Sequence, residues 1–176
     1  MKTTSIVSPG ATGPSAWVPI DNSPSGFGLA IGCTVSSGAS LTYKVQYTHD
    51  DMNKWQACTV SRSTTVATLK LTAHGITGTT DSIVVRGTGD NNLDGTFAVA
   101  TIVDANTITY TVANTGATLA SNMTQVLILR VFDHTTITGK TANSDGNIAF
   151  PVTAVRINNT VWASGLATMT LNEGRK

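Results

Sequence analysis

The chain reads as an all-β protein: a jelly-roll-like or related β-sandwich base that carries a small β-sandwich or barrel module in a loop. Three observations predict this class. Leu41-Thr42-Tyr43-Lys44-Val45-Gln46-Tyr47-Thr48 alternates apolar and polar residues, the period of a half-buried strand, and its apparent partner, Thr141 to Asn158, lies far downstream. Between the two stands a Thr/Gly/Val-rich stretch, cut into short apolar runs by Gly, Asn and Asp. No segment keeps helical spacing over a useful length, and about one residue in six is Thr, a β-branched type suited to a pleated surface.

Residues 1–24 hold four of the five prolines, Pro9, Pro14, Pro19 and Pro24. Proline has no N–H to give a ladder, so this region is expected to be an extended arm with short strand pieces. Trp17-Val18-Pro19-Ile20 is its strongly apolar patch. The plain reading is that Trp17 covers one end of the core. The functional reading is an arm in which Val7, Trp17, Val18 and Ile20 dock on a neighbouring molecule.

Phe27 to Val35 alternates large and small side chains, a strand with one thickly packed face. A turn, Ser36-Ser37-Gly38-Ala39-Ser40, leads to the strand from Leu41, and the two are expected to pair antiparallel. Residues 66–71, 82–86, 97–103 and 107–112 supply the short strands of the insert. From residue 125 the first pattern resumes. Residues 126–132 are apolar enough for a buried strand, Asp145-Gly146 suits a hairpin turn, and 152–157 and 166–171 complete the sheet. The polar tail 172–176 is expected to fray. The division is therefore a discontinuous base, 1–60 plus 125–176, and an inserted module, 61–124.

Charged residues make up 12 % of the chain and the formal net charge is +1, with no block of like charges. Such a surface has no pull on a nucleic-acid backbone. Sheet edges guarded by few charges tend instead to pair with other chains, so a homo-oligomer, dimer or trimer, is expected; the alternative is a soluble β domain with closed edges. Cys33 and Cys58 make no disulfide framework, although spacing leaves a single bridge open. The N-terminal residues lack the apolar core of a signal peptide, and no segment reaches the length of a membrane-spanning helix. Synthesis in the cytoplasm and no membrane partner are expected.

Candidate chemistry is sparse. Asp90-Asn91-Asn92-Leu93-Asp94-Gly95 matches the opening of an EF-hand calcium loop, with Asp90, Asn92 and Asp94 as oxygen donors. The twelfth position is Thr101 instead of glutamate, and a tight turn explains the same residues. His49, His74 and His134 have no second histidine or cysteine at metal-binding spacing. His49-Asp50-Asp51 and Asp133-His134 meet only if their strands are neighbours. Gly75-Ile76-Thr77-Gly78 lacks the lysine and helix of a phosphate loop. Asp50/Asp51 and Asp90/Asp94 are the close acidic pairs and read as turn residues. No catalytic residue and no cofactor are expected.

Tyr43-Lys44-Val45-Gln46-Tyr47-Thr48-His49-Asp50-Asp51, Phe132-Asp133-His134 and the string from Gly139 to Asn158 resemble small structural proteins of tailed bacteriophages, of the capsid decoration or cement type. In that family a VQYT-x-DD strand, a W/F-x-H element and a GNxxFPVxAxRLN strand stand close together; here the second is displaced by the insert, and Ile157 replaces the usual Leu. Ala73-His74-Gly75-Ile76, Val84-Val85-Arg86-Gly87, Leu93-Asp94-Gly95-Thr96-Phe97 and Val103 to Tyr110 look like the Ig-like β modules of phage tail and capsid-surface proteins. The resemblance implies a virion protein on the outer capsid surface, with the major capsid protein as partner. The alternative is a tail, baseplate or fibre component that touches the host.

Overall fold

A computed structural model describes residues 2–21, 28–113 and 118–174, so Pro24, Phe27, Arg175 and Lys176 lie outside the described residues. The protein is all-β, with sixteen strands and no helix among the described residues. It divides into two compact units, residues 1–49 with 132–176, and residues 50–131.

The first unit is a sandwich of two antiparallel sheets. One consists of β1 (Lys2–Val7), β16 (Ala167–Gly174), β4 (Gly28–Val35) and β14 (Ser144–Ile148), in that order. The other runs β13 (Phe132–Asp133), β5 (Ser40–Thr48), β15 (Ala154–Ser164), β2 (Gly13–Pro14), with β3 (Val18–Pro19) also on β15. Leu29, Ile31, Met169 and Leu171 from the first sheet meet Tyr43, Val45, Val155 and Ile157 from the second in one core. Each such side chain contributes roughly 1.5–3 kcal/mol by leaving water.

Three expectations for this unit are corrected. The strand from Gly28 and the strand from Ser40 are not a hairpin pair: β4 bonds to β14 and β16, and β5 to β13 and β15. Each has one apolar face, and the turn between them, closed by Ala39 N–H donating to Ser36 O, carries the chain across the sandwich. The apolar faces then meet over the core instead of lying side by side. Asp145-Gly146 is likewise not a turn but mid-strand in β14, opposite Gly32 and Ile31. The tail expected to fray is paired through Gly174, opposite Gly28.

The second unit is one antiparallel sheet of seven strands. Its order is β10 (Thr101–Asp104), β11 (Thr107–Thr111), β7 (Val66–Lys70), β6 (Gln56–Ser63), β12 (Leu119–Leu129), β8 (Ser82–Arg86), β9 (Gly95–Ala98). The two edge strands are consecutive in sequence and separated only by Val99-Ala100, a span of about 10 Å. The sheet must therefore curl until its edges approach. Val99 N–H donates to Asp81 O and Ala100 N–H to Thr109 O across the gap, and the Phe97 and Tyr110 rings lie 4.6 Å apart. Val60, Leu69, Ile83, Val85, Ile108, Tyr110 and Val126 fill the concave side.

The unit is wider than the 61–124 read from composition. Cys58 and Val60 ahead of that range, and Val126 after it, belong to its core. The run 97–103, read as one strand, is two strands on opposite edges. The run 126–132 is also divided, β12 ending at Leu129 in the insert and β13 opening the returning base.

Candidate functional site

One strand from each of the three base segments that carry the family resemblance lies in one sheet, while Ser144–Ile148 of the last segment pairs in the other. Phe132 lies opposite Tyr47, Asp133 opposite Gln46, and Val155 opposite Tyr47 on its other side. The displaced Phe132-Asp133-His134 element therefore sits beside the strand that the insert separates it from in sequence.

Alternation gives this sheet two different faces. On the side away from the sandwich core, Lys44, Gln46, Asp133, Arg156 and Asn158 form a polar network. Asp133 accepts from Lys44 Nζ and from Gln46 Nε2, both at 2.8 Å, and Gln46 Oε1 accepts from Arg156 Nε at 2.9 Å. The Arg156 guanidinium is buried and lies 4.3 Å from the centre of the Trp17 ring. Burial pushes Arg156 down to about 10, while the charge of Asp133 acts the other way. Partial burial pushes Asp133 up, but hydrogen bonds from Lys44 and Gln46 and the charges of Lys44 and Arg156 outweigh it, holding the carboxyl below its ordinary value.

The arm residues fall in different places. Val18 pairs with Val155, which sets Trp17 over Arg156, and the Trp17 N–H has no acceptor among the described residues. Ile20 is buried in the base core and Val18 packs against it. Ser15 N–H donates to Ile157 O and Asn159 Nδ2 to Pro9 O, fastening the arm along β15. Within one chain, then, Ile20 is buried in its own domain, and Trp17 and Val18 lie half-buried on it. Val7 is 49 % exposed and still available to a neighbour.

An aromatic cluster occupies the end of β5. The rings of Tyr47 and His49 lie 5.5 Å apart, and each lies 5.4–5.7 Å from the rings of Phe132 and Phe150, with Phe132 stacked on Tyr47. His49, Phe132 and Phe150 are exposed. His49 Nδ1 donates to Pro151 O at 3.0 Å, so Nε2 of the neutral ring is an acceptor. Sequence reasoning did not assemble this cluster, because its four members come from three separated segments.

His49 and His134 each follow directly on one of two neighbouring strands, β5 and β13, yet their rings do different work. His134 is buried, accepts at Nδ1 from the Thr136 and Ile137 N–H groups, and donates from Nε2 to Asn147 O at 3.1 Å. His74 repeats the device in the insert, accepting from Ile76 N–H and donating to Asp104 O at 2.8 Å. Both imidazoles fasten loops, with each nitrogen occupied.

The candidate calcium loop is held by its own bonds. Asp94 accepts from Gly87 N–H, Thr88 N–H and the Thr88 hydroxyl. Asp90 accepts from Asn92 N–H at one oxygen and pairs with buried Arg62 at the other, 2.7 Å away. Among the described residues no group of three or more His, Cys, Asp or Glu is placed to hold a metal ion. Burial pushes Asp94 up, but the bonds from Thr88 and Gly87 win and hold it below the usual carboxylate range.

A recess of about 170 Å³ in the insert is lined by Asp50, Lys54, His74 and Arg130. Arg130 Nη2 bonds to Asp50 Oδ1 at 2.6 Å, so its strongest charges are spent on each other. Cys33 and Cys58 are free and buried, one in each core, and burial pushes both thiols up to about 11. No membrane-length apolar helix occurs among the described residues. No family model, no curated protein and no solved structure matches this chain.

Proposed function

We propose that the chain is a virion structural protein, non-enzymatic, and most simply a capsid decoration or cement protein of a tailed phage. It would bind the outer capsid surface and bridge major capsid subunits. The observation that carries this reading is the placing of Tyr47, Phe132 and Val155 on three adjacent strands, which sets a strand from each resemblance-bearing segment of the base side by side. The low charge and the exposed edges support it, since repeated modest contacts on a lattice multiply into firm attachment.

The exposed cluster of Tyr47, His49, Phe132 and Phe150 favours a second reading, a tail or baseplate component that meets the host surface through aromatic rings. Co-sedimentation separates the two. Saturable binding to undecorated capsids, at a fixed ratio to the major capsid subunit, is the expected result. Binding to purified tails alone, or to neither, sinks the cement reading.

A further inference from the structure

The edge strand β1 is unlike every other sheet edge among the described residues. β13 is two residues long, β2 and β3 carry Pro14 and Pro19, and β9 and β10 are drawn together by the curl of their sheet. β14 carries the acidic Asp145. β1, Lys-Thr-Thr-Ser-Ile-Val, has six residues, no proline, no acidic group and one charge, at its far end. Short length, charges and proline are the devices that blunt an edge, and β1 lacks them.

The ladder fixes which groups are open. Ser8 N–H donates to Ala167 O at 2.7 Å, and hydrogen-bonded positions recur at every second residue of an antiparallel pair. Ile6, Thr4 and Lys2 therefore turn their N–H and C=O toward β16. Val7, Ser5 and Thr3 turn theirs outward.

Those three positions are self-complementary. Set β1 antiparallel to its own copy with Ser5 opposite Ser5, and Thr3 falls opposite Val7 of the second copy at both ends. Every outward N–H then meets an outward C=O. Val7, 49 % exposed, gains a neighbour, and the two Lys2 ammonium groups stand at opposite ends of the joint. Lys2 already leans on Glu173, 3.5 Å away, and a net charge of +1 sets up no repulsion between copies.

We propose that β1 pairs with β1 of a second copy of this chain, antiparallel about a two-fold axis at Ser5, joining their sheets into one. A closed two-fold contact uses the same patch on both partners, which this edge supplies. The dimer does not depend on the capsid reading.

Sedimentation equilibrium at rising concentration is expected to show a monomer–dimer equilibrium. Ser5→Pro deletes one outward N–H per copy and none within the sheet, so it is expected to weaken the dimer roughly tenfold or more. Ser5→Cys sets two Cα atoms about 5.5 Å apart across the axis, within disulfide reach, whereas Thr3→Cys leaves its pair about 14 Å apart. Mild oxidation is expected to cross-link Ser5→Cys and not Thr3→Cys, against a low background because Cys33 and Cys58 are buried. A mixture of Thr3→Cys with Val7→Cys is expected to cross-link. A protein monomeric at all concentrations, equal cross-linking of Ser5→Cys and Thr3→Cys, or a dimer untouched by folded Ser5→Pro would each overturn the proposal.

Discussion

Gly146 leaves no room for a side chain beside His134: a Cβ there would stand 2.9 Å from Cε1 of the imidazole and 3.0 Å from Ile137 Cδ1. The glycine sits mid-strand because the histidine must reach Asn147 O while accepting from the 136–137 backbone. Gly146→Ala is expected to cost about 1–3 kcal/mol through this overlap. Urea denaturation measures it, and the same substitution made beside His134→Ala should cost much less. An equal cost in both backgrounds would refute the contact as the cause.

Asp94 predicts a pH signature for the insert. Its folded-state pKa is depressed, so its contribution is fully present above the unfolded value, about 4, and is lost as pH falls through the lower folded value. Asp94→Asn is expected to destabilise the insert by about 1–3 kcal/mol at pH 7, since it weakens hydrogen bonds to a charged acceptor. The gap from the native protein should close as both are melted at successively lower pH. A gap constant down to pH 2 would contradict the assignment.

Asp50 and Arg130, at the two ends of the insert, should not be equivalent. Arg130 is mostly exposed, so its ion pair contributes little, under about 1 kcal/mol. Asp50 also accepts the backbone N–H of Arg130. Asp50→Ala is therefore expected to cost about 1–2 kcal/mol and to speed amide exchange at residue 130, while Arg130→Ala leaves that amide protected. Amide exchange followed by NMR distinguishes the two variants.

The thiols should be silent until the protein unfolds. Burial holds both near 11, so at pH 8 the thiolate fraction is on the order of one in a thousand, and access is closed as well. A thiol reagent is expected to label neither cysteine in native protein and both in denaturant. Prompt labelling of either one would show that its core opens.

Removing the insert should leave the base folded. The chain leaves at His49 and returns at Phe132, and Phe132 faces Tyr47 in an antiparallel pair, so a short turn can replace residues 50–131. The shortened protein is expected to melt cooperatively and to show dispersed amide resonances. The isolated 50–131 segment has its own core and is expected to do the same.

The sequence announced strands better than neighbours. The alternation in 41–48 sets Leu41, Tyr43, Val45 and Tyr47 on one face; the first three are buried and Tyr47, at the strand end, is half-buried. The same alternation does not say which apolar faces meet: it suits a side-by-side pairing of β4 and β5 as well as the opposed sheets they occupy. Residues 126–129 read as buried, but an apolar run names no owner, and Val126, with Ile128 packed beside it, serves the insert's core. Gly146 misled for a related reason: Asp-Gly signals positive φ to local reasoning, whereas here glycine is required by a ring twelve residues away in sequence. The aromatic cluster left no local trace, because only folding brings Phe132 and Phe150 to Tyr47.

The hydrophobic side chains that fill the base and those that fill the insert form two lists with no member in common. Mutation can therefore test each half against its own stability threshold, and no compensating change need arise in the other. Recombination at the 49/50 and 131/132 boundaries would exchange a whole folded cargo in one event. Lineages carrying this base are then expected to differ abruptly in what they hold between those points, and only gradually in the strands on either side.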